Sequence, residues 1–102
     1  MDETEAQQVV KRAVAGDAAA FRGLLDAYYL VIFRMAFRFT GNKSDAEDVT
    51  QMTCMKLAQN IGQFDGRAAF TTWLYQVVLN TARDWQRSQT RHQHGAIEIG
   101  VV

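Results

Sequence analysis

The sequence predicts an all-α fold, a compact four-helix bundle with a loop before the last long helix. Three observations carry that prediction. Apolar residues recur at helical spacing along most of the chain, with no run of the strict alternation that a half-buried strand shows. Proline is absent, which suits helix interiors, where its ring removes a backbone hydrogen bond. Ser, Thr, Asp, Asn and Gly stand at the breaks between the periodic segments, where helix caps are needed.

Each element follows from a local pattern. Thr4 and Gln7 have capping-box spacing, and Val9, Val10, Ala13 and Val14 continue at helical period until Gly16. Asp17 is an N-cap for a second helix whose apolar stripe is Phe21, Leu24, Leu25, Tyr28, Val31, Ile32, Met35, Ala36 and Phe39. Gly41 and Asn42 end it, because both tolerate the left-handed backbone of a C-cap. Ser44 and Glu47 form another capping-box pair, opening a third helix with Val49, Thr53, Cys54, Leu57 and Ile61 inward. Gly62 and Gly66 bracket a loop. Thr71 or Thr72 caps the last helix, with Trp73, Leu74, Val77, Val78, Thr81 and Trp85 inward. The period lapses after about Gln89, so residues 1–91 read as the domain and 92–102 as a linker-like tail.

A chain of 102 residues is one domain's worth, and 48% hydrophobic with 22% charged residues is the composition of a globular protein. A single cysteine, Cys54, excludes an intrachain disulfide framework and fits a reducing compartment. The acidic start has no basic n-region of a signal peptide, and the apolar run from Tyr28 to Phe33 is far too short to span a membrane. The chain therefore reads as cytoplasmic, with no direct membrane insertion. The formal net charge is zero, but the halves differ. Residues 1–65 hold seven Lys or Arg against nine Asp or Glu, and residues 66–102 hold four against two.

Catalytic and metal chemistry find little footing. His92 and His94 lie in the tail without a carboxylate or thiol at ligand spacing. Cys54 sits on an apolar face, where a thiol packs as a small hydrophobe. No Ser-His-Asp set, glycine-rich phosphate loop or inward carboxylate pair can be assembled, so no enzyme, cofactor or metal is predicted.

Two surfaces carry more information. Asp45 and Glu47 suit the positive end of the third helix's dipole. Asp48 and Gln51, three residues apart, share a face pointing away from Val49 and Thr53, which fits either a solvated surface or a partner-binding one. On the last helix Gln76, Asn80, Arg83 and Arg87 recur at spacings of four, three and four, one polar stripe opposite the tryptophans. Amide and guanidinium groups are the side chains that bind base edges and phosphates. Just before them come Phe64, Arg67, Phe70 and Trp73, aromatics interleaved with a cation, which suit unstacked bases. The plain alternative is that the rings are core and the stripe is solvated.

The ordered set of motifs resembles a known family. Gly16-Asp17, Phe39-Thr40-Gly41-Asn42, Asp45-Ala46-Glu47-Asp48-Val49-Thr50-Gln51, Phe70-Thr71-Thr72-Trp73-Leu74-Tyr75 and Asn80-Thr81-Ala82-Arg83-Asp84 are similar to the N-terminal, region-two domain of extracytoplasmic-function sigma factors. The resemblance covers about residues 9–91. It implies a domain that docks on the clamp coiled coil of the largest subunit of core RNA polymerase and captures the melted promoter minus-ten element. Asp48 and Gln51, beside Glu47, match polymerase-docking positions. Phe64 through Phe70 match the loop that pockets a flipped non-template base, and Asn80 matches a polar contact to that base. Arg83 and Arg87 match backbone-holding positions. Met52 stands where the family usually carries an acid, and Gln76 where it commonly carries a base. Ser88-Gln89 dilutes the usual Arg-rich end. The helix-turn-helix domain of the full factors is missing, so the chain reads as a fragment. The resemblance also implies an anti-sigma partner, with Ala96–Val102 and exposed aromatics near Phe64 and Phe70 as candidate contacts. The rival readings are a decoy that binds polymerase or an anti-sigma factor without engaging DNA, and a helical enzyme or metal-binding bundle.

Overall fold

The computed structural model describes the backbone of residues 3–101 and the side chains of residues 4–90. Four α-helices follow one another: α1 (Glu3–Val14), α2 (Ala18–Thr40), α3 (Lys43–Asn60) and α4 (Phe70–Val101). A 3₁₀ turn, Ile61–Gln63, extends α3 before the loop that leads into α4. The described residues contain no strand. α2 is the central element, packing on α1, α3 and α4.

The caps show which local signals the chain uses. The Ala20 N–H donates to Asp17 Oδ1 at 3.0 Å, so Asp17 starts α2 as its sequence position predicts. Gly41 ends α2 with φ 80°, and its N–H donates to the Phe37 carbonyl. The start of α3 differs from the Ser44–Glu47 prediction. Asn42 is the N-cap: its Oδ1 accepts from the Asp45 N–H at 2.9 Å, and its Nδ2 donates to Asp45 Oδ2 at 2.6 Å. Asn42 is in extended backbone rather than the left-handed region, so one glycine closes α2 and the next residue opens α3. α1 already includes Glu3, which places Thr4 inside the helix and not at its cap. α4 begins at Phe70, with the Ala69 carbonyl accepting from the Thr72 and Trp73 N–H groups, so neither Thr71 nor Thr72 is the cap.

α4 also runs past Gln89, to Val101. Apolar period reports which face is buried, whereas helix propagation needs only residues that tolerate it, and nothing beyond Gln89 is a proline. Gly62 lies in the 3₁₀ turn with no positive φ, so of the two bracketing glycines only Gly66, at φ 80°, makes the reversal.

The core has three stations. Val10, Ala13, Ala20, Leu24 and Ile61 form the first, with Phe64, Phe70 and Trp73 packed against it. Ile32, Leu57, Leu74 and Val78 form the middle. Ala36, Ala46, Val49 and Ala82 form the third, flanked by Phe33 and Trp85. Each leucine or isoleucine in the middle station contributes about 1.5–3 kcal/mol by leaving water. The third station is built from small side chains, which lets the helices approach closely. Thr50, Thr53 and Thr81 are fully buried, and their hydroxyls donate to the carbonyls four residues back, at 2.7, 2.7 and 2.6 Å. Their polar atoms are thereby satisfied, and only the methyl groups face the neighbouring helices.

Two residues of the predicted α2 stripe are exposed instead. Val31 and Phe39 face outward because the buried face rotates along α2, from α1 near its start toward α3 near its end. Cys54 is half-buried, and burial pushes its thiol above its ordinary range, which keeps it protonated and poorly nucleophilic.

Candidate functional site

The aromatic residues before and at the start of α4 form one interlocked group. Phe64 meets Phe70 edge-on with centroids 5.9 Å apart, and its ring lies 5.3 Å from that of Trp73. Phe70 is 5.9 Å from Trp73 and 5.4 Å from Tyr28 of α2. Such offset and tilted arrangements are the favoured geometry for ring pairs. All four are half-buried and close the first core station from above. They are therefore both core and surface, where the sequence left one or the other open.

Phe64, Phe70 and Tyr28 line an open groove of about 570 Å³. Gly66, Arg67, Ala68 and Ala69 form its loop side, and Gln7 and Lys11 of α1 its opposite wall. Trp73 does not line it. Its ring backs Phe64 and Phe70 from the core side. Asp65 orders the loop: its Oδ1 accepts from the Arg67 N–H at 3.0 Å, and its Oδ2 lies 3.3 Å from Arg67 Nε.

Further along α4, Gln76, Asn80, Arg83 and Arg87 are all exposed, on the face opposite buried Leu74, Val78 and Ala82. The sequence stripe thus survives folding as one continuous polar surface. Asn80 is not part of the groove; it stands ten residues from Phe70, about 15 Å along the helix axis. Asp84 is the acid beside this stripe. Lys56 of α3 donates to its Oδ2 at 2.7 Å, and Arg87 Nη1 is 3.8 Å from its Oδ1. The hydrogen bond and charge of Lys56 hold the Asp84 carboxyl below its ordinary range.

On α3, Glu47, Asp48 and Gln51 are exposed together. The structure adds Met55, 63% exposed, one turn beyond Gln51 on the same face. The four-residue step from Gln51 is the signal in the sequence that places this thioether among polar neighbours. Half-buried Met52 lies beside this face. Among the described residues no group of three or more His, Cys, Asp or Glu is placed to hold a metal ion. His92, His94 and the side chains of Ala96–Val102 lie outside the described residues. No described helix is long and apolar enough to cross a membrane.

Comparison with known proteins gives this architecture its place. The sigma-70 region 2 family matches residues 24–92. Over 84 residues the chain is 36% identical to the RNA polymerase sigma-H factor of Pseudomonas aeruginosa, covering 82% of this chain and 44% of that protein. It is 35% identical over 75 residues to the ECF RNA polymerase sigma factor SigW of Bacillus subtilis, covering 74% and 40%. A solution structure of an engineered region 2 of sigmaE, in complex with GTAAAA, superposes with a TM-score of 0.81 at 31% identity, over 90% of this chain and 97% of that one. The chain belongs to the sigma-70 region 2 family, and its relatives are extracytoplasmic-function sigma factors. It spans less than half the length of these curated relatives.

Proposed function

We propose that this domain docks on core RNA polymerase through the outer face of α3 and captures the non-template strand of the melted minus-ten element on α4 and the 64–70 loop. The observation that carries this reading is the exposed stripe Gln76, Asn80, Arg83 and Arg87 on the same helix whose first residues, Phe70 and Thr71, line an aromatic-floored groove. Guanidinium groups neutralise phosphates without reading sequence, whereas an amide can discriminate a base edge. The 64–70 loop holds an extruded base, and Asn80, farther along α4, is a polar contact to a base of the same strand. Capture offsets an unstacking cost of a few kcal/mol, which is how a module without catalysis favours an open promoter. Glu47, Asp48 and Gln51 face the clamp coiled coil of the largest polymerase subunit in this arrangement. The solved relative bound to GTAAAA supports the nucleic-acid half of the proposal.

The test is fluorescence anisotropy of minus-ten oligonucleotides with the chain assembled on core polymerase. Non-template single strand should bind clearly better than closed duplex, because a stacked base cannot enter a pocket. Asn80→Ala should lose about 1–3 kcal/mol of discrimination at one promoter position. Arg83→Ala and Arg87→Ala should weaken all sequences alike and flatten the salt dependence. Equal affinity for duplex and single strand, with no position-specific loss in Asn80→Ala, would make the stripe a duplex-facing or merely solvated surface.

A further inference from the structure

Two sulfur atoms stand side by side in the sequence of α3, and their surroundings differ. Cys54 is half-buried, and burial keeps its thiol protonated, the form that oxidants attack slowly. Met55 is 63% exposed, more than any other large apolar side chain described. A thioether has no proton to lose, so its oxidation is governed by access to water-borne oxidants. Met35 and Met52 are half-buried. Of the described sulfurs, Met55 is therefore the one an oxidant reaches first.

The place of Met55 gives its oxidation a consequence. It is the one large apolar side chain that α3 exposes. Gln51 and Gln59 lie one helical turn to either side, and Glu47, Asp48 and Ala58 are exposed around them. A protein partner seated on this face finds its main apolar contact on α3 at Met55, while the polar groups around it fix register and exclude water. Methionine sulfoxide is polar and chiral, so it makes that contact only by leaving its oxygen desolvated. The chemistry balances with a hydroperoxide as oxidant. A sulfur lone pair attacks the terminal oxygen, the O–O bond breaks, and the proton on the transferred oxygen passes to the departing one. The sulfur is oxidised to the sulfoxide and the peroxide is reduced to water or an alcohol.

We infer that Met55 is a reversible oxidation site: a hydroperoxide converts it to the sulfoxide in the free domain and thereby blocks docking of the α3 face on polymerase, until reduction restores the thioether. The inference rests on the docking reading of α3 and adds a chemical condition under which docking is lost.

The experiment treats the free chain with hydrogen peroxide, removes the peroxide with catalase, and then measures binding of the labelled chain to core polymerase. Peptide mass spectrometry locates the added oxygen. Met55 should gain it before Met35 and Met52, and binding should weaken about tenfold or more. Incubation with the two methionine sulfoxide reductases, one for each sulfoxide epimer, should restore it. Met55→Leu should bind equally before and after peroxide, whatever its starting affinity. Helical circular dichroism should survive the treatment, because the oxidised side chain is exposed. With the chain already assembled on polymerase, Met55 should be oxidised more slowly than in the free chain. Three results would each overturn the inference: faster oxidation of Met35 or Met52, parent-level binding by the chain oxidised at Met55, or an equal peroxide-induced loss in Met55→Leu. If Asp48→Ala with Gln51→Ala still weakens binding in those cases, docking on α3 stands and only the oxidation site falls. If that double variant binds like the parent, and Met55 is oxidised equally fast in the free and the assembled chain, the docking reading itself fails.

Discussion

The outer faces of α3 and α4 belong to neighbouring helices of one bundle, yet they carry opposite chemistry. α3 presents Glu47, Asp48 and Gln51 around the exposed thioether of Met55, and its cation on this side of the bundle, Lys56, is turned to Asp84. α4 presents two amides and two guanidinium groups, and its one acid among the described side chains, Asp84, is taken up by that same lysine. A net charge of zero thus hides two surfaces of different sign. An exposed, polarisable methionine suits a protein partner, and a basic face rich in amides suits nucleic acid. Strand capture on α4, as proposed, does not need a basic excess overall, because that one helix supplies a local basic field.

The two faces keep their relation through the buried side of both helices, which gives the largest effect to test. Leu57 of α3 lies in the middle core station with Leu74 and Val78 of α4. Leu57→Ala should cost about 2–5 kcal/mol in chemical denaturation, through lost transfer energy and an unfilled cavity. Polymerase and DNA binding should then fall together with temperature, at one midpoint. Loss of one activity well before the other would show that the faces are not held by a common core.

How much of this was visible beforehand depends on whether a signal is local. Asp17 and Gly41 act within a few residues, and both do what their chemistry predicts. The exposure of Gln76, Asn80, Arg83 and Arg87 follows from period alone, because three flanking residues on the opposite side are apolar enough to settle which way α4 turns. Asn42, read from the sequence as part of the end of α2, instead caps α3 in place of Ser44, because the backbone leaving Gly41 is already extended there. Thr50 is buried without looking apolar, since its hydroxyl is satisfied inside its own helix. Val31 and Phe39 are exposed because α2 changes partners along its length. The α1 wall of the groove was illegible for a plainer reason: Gln7 and Lys11 meet Phe64 and Phe70 only through tertiary packing, some sixty residues away in sequence.

A second, smaller effect sharpens the contrast between the faces. Asp48→Ala with Gln51→Ala should weaken core polymerase binding about tenfold, equivalent to about 1.4 kcal/mol. Both side chains are exposed, so thermal unfolding should not move. Single-strand affinity measured without polymerase should also be unchanged. Binding to polymerase at the parent's level would return this face to solvent and leave α4 as the domain's sole interface.

The smallest effect concerns the bond between the two faces. Lys56 and Asp84 meet at 2.7 Å with side chains about one-third and one-half exposed, so water and salt screen most of the attraction. Asp84→Asn should therefore lower stability only slightly, well below the cost of Leu57→Ala. The dependence on pH gives the sign. The folded carboxyl is held below its ordinary 3.8 by Lys56, so the pair's contribution is present above that value and is lost as pH falls through the lowered pKa. The gap between parent and Asp84→Asn in urea denaturation should be constant near neutrality and close on acidification below 3.8. Lys56→Ala should show the same closure, and raising the salt should shrink both gaps. Asp84→Asn has an opposite consequence for DNA. It removes the acid 3.8 Å from Arg87, so the salt dependence of single-strand binding should steepen while the fold weakens. A gap that persists unchanged through the acid range, or a salt slope that flattens, would mean that Asp84 does not separate the two faces electrostatically.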